Sequence, residues 1–145
     1  MAPSAPERLA KFEQAAAAAP NQPPIARQLA VEYYGLKRYE DCARQCDRAL
    51  KLLPADTMLL TLQGSALFEL GRLEDSRLAN EAALRADPAN HWALHNLAVT
   101  LTAQKSPRAP QTWRDYLEKA KDDPEQQGLL PEARARLAEL EKTGK

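Results

Sequence analysis

The chain has 145 residues, of which 44% are hydrophobic and 28% are charged, and its 20 Lys and Arg residues balance 20 Asp and Glu residues. This length suits one domain with a continuous core. The zero net charge argues against a general binder of nucleic acid or anionic membranes, which needs an excess of basic residues. No apolar run approaches the roughly 20 residues that span a bilayer. The first residues lack the basic start and apolar stretch of a secretory signal, so we expect a cytoplasmic protein without membrane insertion.

The composition favours helices. Ala, Leu, Glu, Arg and Gln dominate the sequence and are good helix formers, whereas glycine is scarce, with 5 residues. Most of the 11 prolines fall between segments in which apolar residues recur at steps of three and four, as amphipathic helices require. At such positions proline starts and stops helices instead of breaking them.

One period organises the chain. Pro20, Pro54 and Pro88 follow one another at intervals of 34 residues, and residues 36–39 (LKRY) return at the same interval as residues 70–73 (LGRL). A fixed period of this length is the sequence signature of stacked supersecondary units. Each period predicts a helix, a tight turn, a second helix and a turn marked by proline.

The predicted units form a single domain in which a leading helix precedes three repeats and a capping helix. In chain order they occupy residues 5–20, 23–54, 57–88, 91–124 and 130–142. Asp56 and Asn90 precede the first helices of the second and third repeats, where their side chains can cap the free backbone N–H groups. The helix pairs are predicted over residues 23–34 and 39–52, 57–70 and 74–86, and 90–103 and 111–121.

The third repeat departs from the period, because Pro124 follows Pro88 by 36 residues. We therefore expect an extended loop over residues 104–110 before its second helix. The inward residues of that helix are predicted to be Trp113, Tyr116, Leu117 and Ala120, and those of the capping helix Ala133, Leu137 and Leu140. A solenoid needs such a cap because its last repeat would otherwise expose an apolar face.

These residues resemble the tetratricopeptide repeat (TPR) family, whose motif sets large, small and aromatic residues at fixed slots of two helices. The matching residues are Ala26, Leu29, Ala30, Tyr33, Cys42, Cys46, Ala49 and Pro54, then Leu60, Gln63, Gly64, Leu67, Ser76, Asn80, Ala83 and Pro88, then Leu94, Leu97, Ala98 and Leu101. The resemblance implies an all-α fold, a right-handed α-solenoid of antiparallel helix pairs. Small residues at Ala30, Gly64 and Ala98 would let paired helices cross closely. Cys46 and Asn80 stand where the family usually has a bulky ring.

The resemblance also implies that a partner binds the concave face, which the first helix of each pair lines. Once the residues inside each pair are set aside, that face carries Arg27, Gln28, Val31, Tyr34, Met58, Thr61, Leu62, Ser65, Phe68, Trp92, His95, Asn96 and Val99. Met58, Leu62, Phe68 and Trp92 are large apolar side chains, and an apolar patch rimmed by polar groups is typical of an interaction site. The alternative is that Leu62 and Phe68 pack on the neighbouring repeat and Trp92 covers a helix end.

Two subtypes of the family can be compared with this face. Members that grip the acidic C-terminus of heat-shock chaperones use a basic, asparagine-rich groove, and here Arg27 and Asn96 are accompanied by Val31 and Leu62 where polar clamp residues are expected. That subtype is disfavoured. The bacterial type III secretion chaperones have three repeats and an extra N-terminal helix, and they remain an alternative.

No constellation of residues predicts catalysis or metal binding. His91 and His95 share a helix face, but zinc needs three or four protein ligands, and Trp92 replaces the glutamate of the His-Glu-x-x-His pattern. Cys42 and Cys46 fall on core slots, and free cysteine is among the most buried residue types. No glycine-rich phosphate loop or nucleophile elbow is present, so we predict no catalytic residue, no metal and no cofactor.

The function predicted from sequence is therefore a non-enzymatic adaptor, scaffold or chaperone. Its expected partner is another protein or a peptide segment and not nucleic acid, and the chain is expected to be a monomer or weak homo-oligomer. A self-assembling structural scaffold and a regulatory domain of a larger protein are the alternatives, because fold alone does not dictate function.

Overall fold

The computed structural model describes residues 1–143, which form eight α-helices and one 3₁₀ turn. In chain order these are α1 (Ala5–Ala18), α2 (Pro23–Gly35), α3 (Tyr39–Leu52), α4 (Thr57–Glu69), α5 (Leu73–Ala86), α6 (His91–Ala103), α7 (Ala109–Lys119), the 3₁₀ turn (Gln127–Leu129) and α8 (Leu130–Thr143). Each helix packs on the next, and α4 also contacts α2 and α6. Among the described residues, no helix has the length and apolar character to cross a membrane.

Side-chain caps define the start of three helices. The Oδ1 atom of Asp56 accepts a hydrogen bond from the N–H of Leu59 at 2.9 Å, and Oδ1 of Asn90 accepts one from Ala93 at 3.0 Å, which confirms both predicted caps. Ser4 adds a capping box at the start of α1. Such caps contribute about 1 kcal/mol each.

One type of turn joins the two helices of every pair. Lys37, Gly71 and Lys105, again 34 residues apart, have backbone φ angles of 59°, 75° and 55°. In all three turns the last carbonyls of the first helix accept the two hydrogen bonds of the Schellman motif. Only Gly71 adopts this left-handed conformation without steric cost, so the two lysines show that the geometry of the turn is imposed by the packing of the pairs.

The loop of the third pair is shorter than the sequence predicts. It spans 104–108, five residues against the three of 36–38 and 70–72, so the two extra residues match the shifted position of the next proline. Helix α7 begins at Ala109, two residues earlier than predicted. The reason is that Pro110 lies in the first turn of the helix, where a missing N–H group is tolerated.

The core runs along the whole solenoid between paired helices. Ala30 and Ala98 are fully buried, as are both cysteines, Cys42 and Cys46, which confirms their predicted core positions. At the C-terminal end, Trp113 and the other predicted inward residues of α7 and α8 form one cluster with Leu94 and Ala98. Leu9 is buried at the N-terminal end, where α1 packs on α2.

The second pair crosses closely at Gly64. A Cβ atom there would lie 2.7 Å from Nδ2 of Asn80, which is fully buried. The Ser76 hydroxyl donates to the Gly64 carbonyl at 2.7 Å, and Nδ2 of Asn80 donates to the Ser76 carbonyl at 3.0 Å. Asn80 thus takes the slot of a bulky ring because glycine on the facing helix lets the backbones approach.

This crossing predicts the effect of adding one methyl group. Gly64→Ala should lower the free energy of unfolding by about 1–2 kcal/mol, because overpacking a full core costs about 1–3 kcal/mol and the better helix propensity of Ala returns only part of it. Urea denaturation would measure the change. Gly35→Ala is the matched control, since nothing lies within 4 Å of a Cβ atom at that position. Equal stability of the two variants would contradict the close crossing.

Candidate functional site: a groove across the first helices

The first helices of the three pairs, α2, α4 and α6, frame a concavity of about 640 Å³, here called the groove. The turns after α5 and α7 contribute to one of its ends. The residues that line it are Val31, Tyr34, Thr57, Met58, Thr61, Leu62, Ser65, Asp87, Ala89, Asn90, His91, Trp92, Asn96, Asp123 and Glu125.

Eight of the residues expected from sequence to line the concave face lie in the groove. They are Val31, Tyr34, Met58, Thr61, Leu62, Ser65, Trp92 and Asn96. Phe68, His95 and Val99 line an adjoining concavity of about 150 Å³, which shares three residues with the groove. The lining of the two concavities therefore accounts for most of the predicted face.

Arg27 and Gln28 do not belong to either concavity, in contrast to the prediction from sequence. The Nε atom of Arg27 donates to Oδ2 of Asp56 at 2.6 Å, and the amide of Gln28 donates to Glu32 at 3.0 Å. The partner of Gln28 thus lies on the same helix, and the partner of Arg27 lies at the start of the next repeat. Gln28 and Glu32 are neighbours on one helix because they are four residues apart. Helix periodicity, in contrast, could not reveal the pairing of Arg27 with Asp56.

Large apolar side chains remain accessible in the groove. Val31, Met58 and Trp92 are 38%, 43% and 45% exposed. Leu62 is half-buried and packs on the core of the first two pairs, so the alternative role considered for it, packing on the neighbouring repeat, accounts for part of its surface. The other three side chains leave an apolar surface within reach of a ligand, and such surfaces favour association with another molecule.

Hydrogen bonds between α4 and α6 fix the floor of the groove. The amide of Asn90 donates to the Thr61 hydroxyl at 3.0 Å, and the amide of Asn96 donates to the Ser65 hydroxyl at 2.9 Å. These pairs hold neighbouring repeats in register. They also engage Asn96, one of the two residues of this face that a carboxylate clamp could have used.

The segment after α7 forms an end wall that the sequence did not predict. Nδ1 of His91 lies 2.7 Å from Oδ2 of Asp123, and the Trp92 indole N–H donates to Glu125 at 3.3 Å. The Tyr116 hydroxyl donates to Oε1 of the fully buried Gln126 at 2.7 Å. Two side chains at the start of α6 and one in α7 therefore hold this segment in place.

One sequence signal could have located this wall. The dipeptide Asp87-Pro88 ends the second repeat, and the same dipeptide, Asp123-Pro124, ends the third repeat 36 residues later. Both aspartates line the groove. The hydrogen bond with His91 and a second bond from the Glu125 backbone hold the pKa of Asp123 below its ordinary value.

The carboxylates give the groove an acidic lining. Among the described residues that line it, Asp87, Asp123 and Glu125 carry carboxylates and none is Lys or Arg. Glu69 adds a carboxylate to the adjoining concavity. A clamp for a terminal carboxylate requires the opposite charge, so the geometry and the sequence both disfavour that subtype.

The two histidines have separate environments. His91 is half-buried beside Asp123. The ring of His95 packs edge-on against Trp113 and Tyr116, with ring centroids 5.5 and 5.2 Å away. Within residues 1–143, no group of three His, Cys, Asp or Glu side chains is arranged to hold a metal ion.

Comparisons with known proteins show the fold. Neither a protein-family model nor a curated protein matches the sequence, but solved structures do. MamA is similar over 92% of this chain and 85% of its own, with 14% identity and a TM-score of 0.79. The type III secretion chaperone SycD of Yersinia enterocolitica, solved with a peptide of the translocator YopD, is similar over 83% of this chain and 92% of its own (16% identity, TM-score 0.79).

A third structure, YrrB, is described as a TPR protein with an unusual peptide-binding site. It matches over 82% of this chain and 62% of its own length, with 21% identity and a TM-score of 0.76. The chain is therefore an all-helical solenoid of the TPR type, as the spacing of its residues predicted. At these identities the likeness establishes the architecture and not the partner.

The burial of His95 predicts a dependence of stability on pH. Burial lowers the pKa of His95 from its ordinary value of 6.5, so the unfolded chain binds a proton more readily than the folded chain. The free energy of unfolding should therefore fall as the pH drops below about 6.5. Urea denaturation at about pH 7 and about pH 5 should show a larger loss for the parent than for His95→Gln. His91 is present in both proteins and cancels in the comparison, so equal losses would contradict the burial of His95.

Proposed function

We propose that this chain is a non-enzymatic protein-interaction module that holds a segment of a partner protein in the groove. The observation that carries the proposal is the accessible apolar surface of Met58 and Trp92 beside a floor that hydrogen bonds hold together. Tryptophan is a common anchor of protein interfaces, and a concave surface buries more of a bound segment than a flat one. Hydrogen bonds between α4 and α6 keep the floor fixed before binding, which reduces the entropy lost on association.

The structural neighbours support this role. SycD has been solved with a peptide of YopD, and YrrB is described by its peptide-binding site. A similar groove in this chain would serve an adaptor, a scaffold or a chaperone. The self-assembly alternative is less favoured, because α8 exposes Arg134, Arg136 and Glu139 on its outer face, and charge there opposes end-to-end stacking.

Replacing Trp92 tests the location of the binding surface. The parent and Trp92→Ala would be used to capture proteins from an extract of the native host, and captured partners would be measured by calorimetry. We expect Trp92→Ala to weaken binding roughly tenfold or more. Its urea midpoint should stay close to that of the parent, because the side chain is 45% exposed.

Leu78→Ala provides the matched control. Leu78 is an exposed apolar residue of α5, 50% accessible, and it lines a different concavity between α3 and α5. Its replacement should leave partner affinity unchanged. If Leu78→Ala weakened binding and Trp92→Ala did not, the partner would bind the concavity that Leu78 lines and the proposal would be wrong.

A further inference from the structure

We propose that the segment held in the groove is cationic as well as apolar, with aliphatic or aromatic side chains flanked by Lys or Arg. This inference rests on the proposed function and adds the chemistry of the partner. The charge of the groove carries it, because the described lining has three carboxylates, of which only Asp123 has a histidine partner, His91, and it has no Lys or Arg. The molecule as a whole has zero formal net charge, so the acidic groove is a local feature.

The carboxylates are held in place by the protein before any ligand arrives. The Trp92 indole N–H donates to Oε2 of Glu125 at 3.3 Å, and the N–H of Ala89 donates to Oδ1 of Asp87 at 3.0 Å. Both donors are neutral, so these bonds orient the two carboxylates and leave their negative charge uncompensated. Preorganised charges bind an opposite charge with little loss of side-chain entropy.

The basic residue that the sequence placed on the concave face does not cancel this charge. Arg27 is paired with Asp56 at 2.6 Å and does not line the groove. A negatively charged segment would therefore meet like charges at the end wall. Because like charges across an interface cost free energy, the arrangement selects against acidic partners.

The position of Trp92 suits a basic side chain in a second way. Trp92 is 45% exposed, and its indole N–H donates to the Glu125 carboxylate. A Lys or Arg side chain can pack its methylene groups and its cation on an indole ring while its head group reaches an adjacent carboxylate. Met58 and Val31 remain available for apolar neighbours of that basic residue.

A peptide selection provides probes chosen by the groove itself. A random peptide library displayed on phage would be selected on the immobilised parent chain and, in parallel, on Trp92→Ala. We expect peptides enriched only on the parent to carry more Lys and Arg than Asp and Glu, together with large apolar residues. The best peptide and an analogue with its Lys and Arg residues replaced by Gln would then be compared by fluorescence anisotropy.

The variant Asp87→Asn/Glu125→Gln tests the carboxylates themselves. Both replacements keep an oxygen that accepts the existing hydrogen bond, so the groove should retain its shape. Affinity for the selected peptide should fall roughly fivefold to tenfold, and the Gln analogue should bind both proteins equally. Added salt should weaken the parent complex more than the variant complex.

The control Glu118→Gln/Glu139→Gln also removes two negative charges, but from exposed positions outside the groove. It should bind the selected peptide as the parent does. If the enriched peptides depend on Trp92 but are neutral or acidic, or if the two double variants bind equally, the cationic preference is refuted and the groove remains the binding site. If no peptide depends on Trp92, the groove itself is refuted as the docking surface.

Discussion

The close crossing of paired helices at one small residue per repeat is the constraint on which the rest of the structure depends. Ala30 and Ala98 are fully buried at this slot, and Gly64 leaves room only for the side chain of Asn80. Because the paired helices meet at this slot, the opposite face of each first helix does not pack on the second helix of its pair. Three such faces, set side by side by the 34-residue period, form the groove.

The repetition also explains why the groove is acidic at one end. Every turn that leads from one repeat to the next lies at the same end of the first helices, so Asp87 and Asp123 of successive turns reach the same concavity. Their carboxylates are held there by backbone and side-chain donors. The same architecture thus supplies an apolar floor through Met58 and Trp92 and a fixed charge at its edge, which together define the chemistry of the proposed partner.

The sequence predicted the repeated part of the structure well because periodic burial is a local property. The bounds of α2 to α6 to within one residue, the caps at Asp56 and Asn90 and the core residues of each pair all follow from the spacing of apolar, small and capping residues. The start of α7 was misplaced because Pro110 was interpreted as part of a loop, although proline is equally suited to the first turn of a helix.

Only the Asp-Pro signal of the end wall could be found in this way, and the contacts that hold the wall in place could not. Its position depends on contacts between residues about thirty positions apart, His91 with Asp123 and Trp92 with Glu125, and no period links the members of these pairs. For the same reason the sequence did not reveal that Arg27, which it predicted to line the concave face, pairs with Asp56. Side-chain partners across repeats decide the charge of the site, and a one-dimensional pattern does not contain them.

The two tryptophans of the chain allow the most direct test of the central claim. Trp92 is exposed in the groove, whereas Trp113 is fully buried and its indole N–H donates to Thr102 at 2.8 Å. In a nuclear magnetic resonance titration with a binding partner segment, assigned with Trp92→Phe, the indole N–H signal of Trp92 should shift and that of Trp113 should stay in place. Saturated binding with an unchanged Trp92 signal would contradict the account.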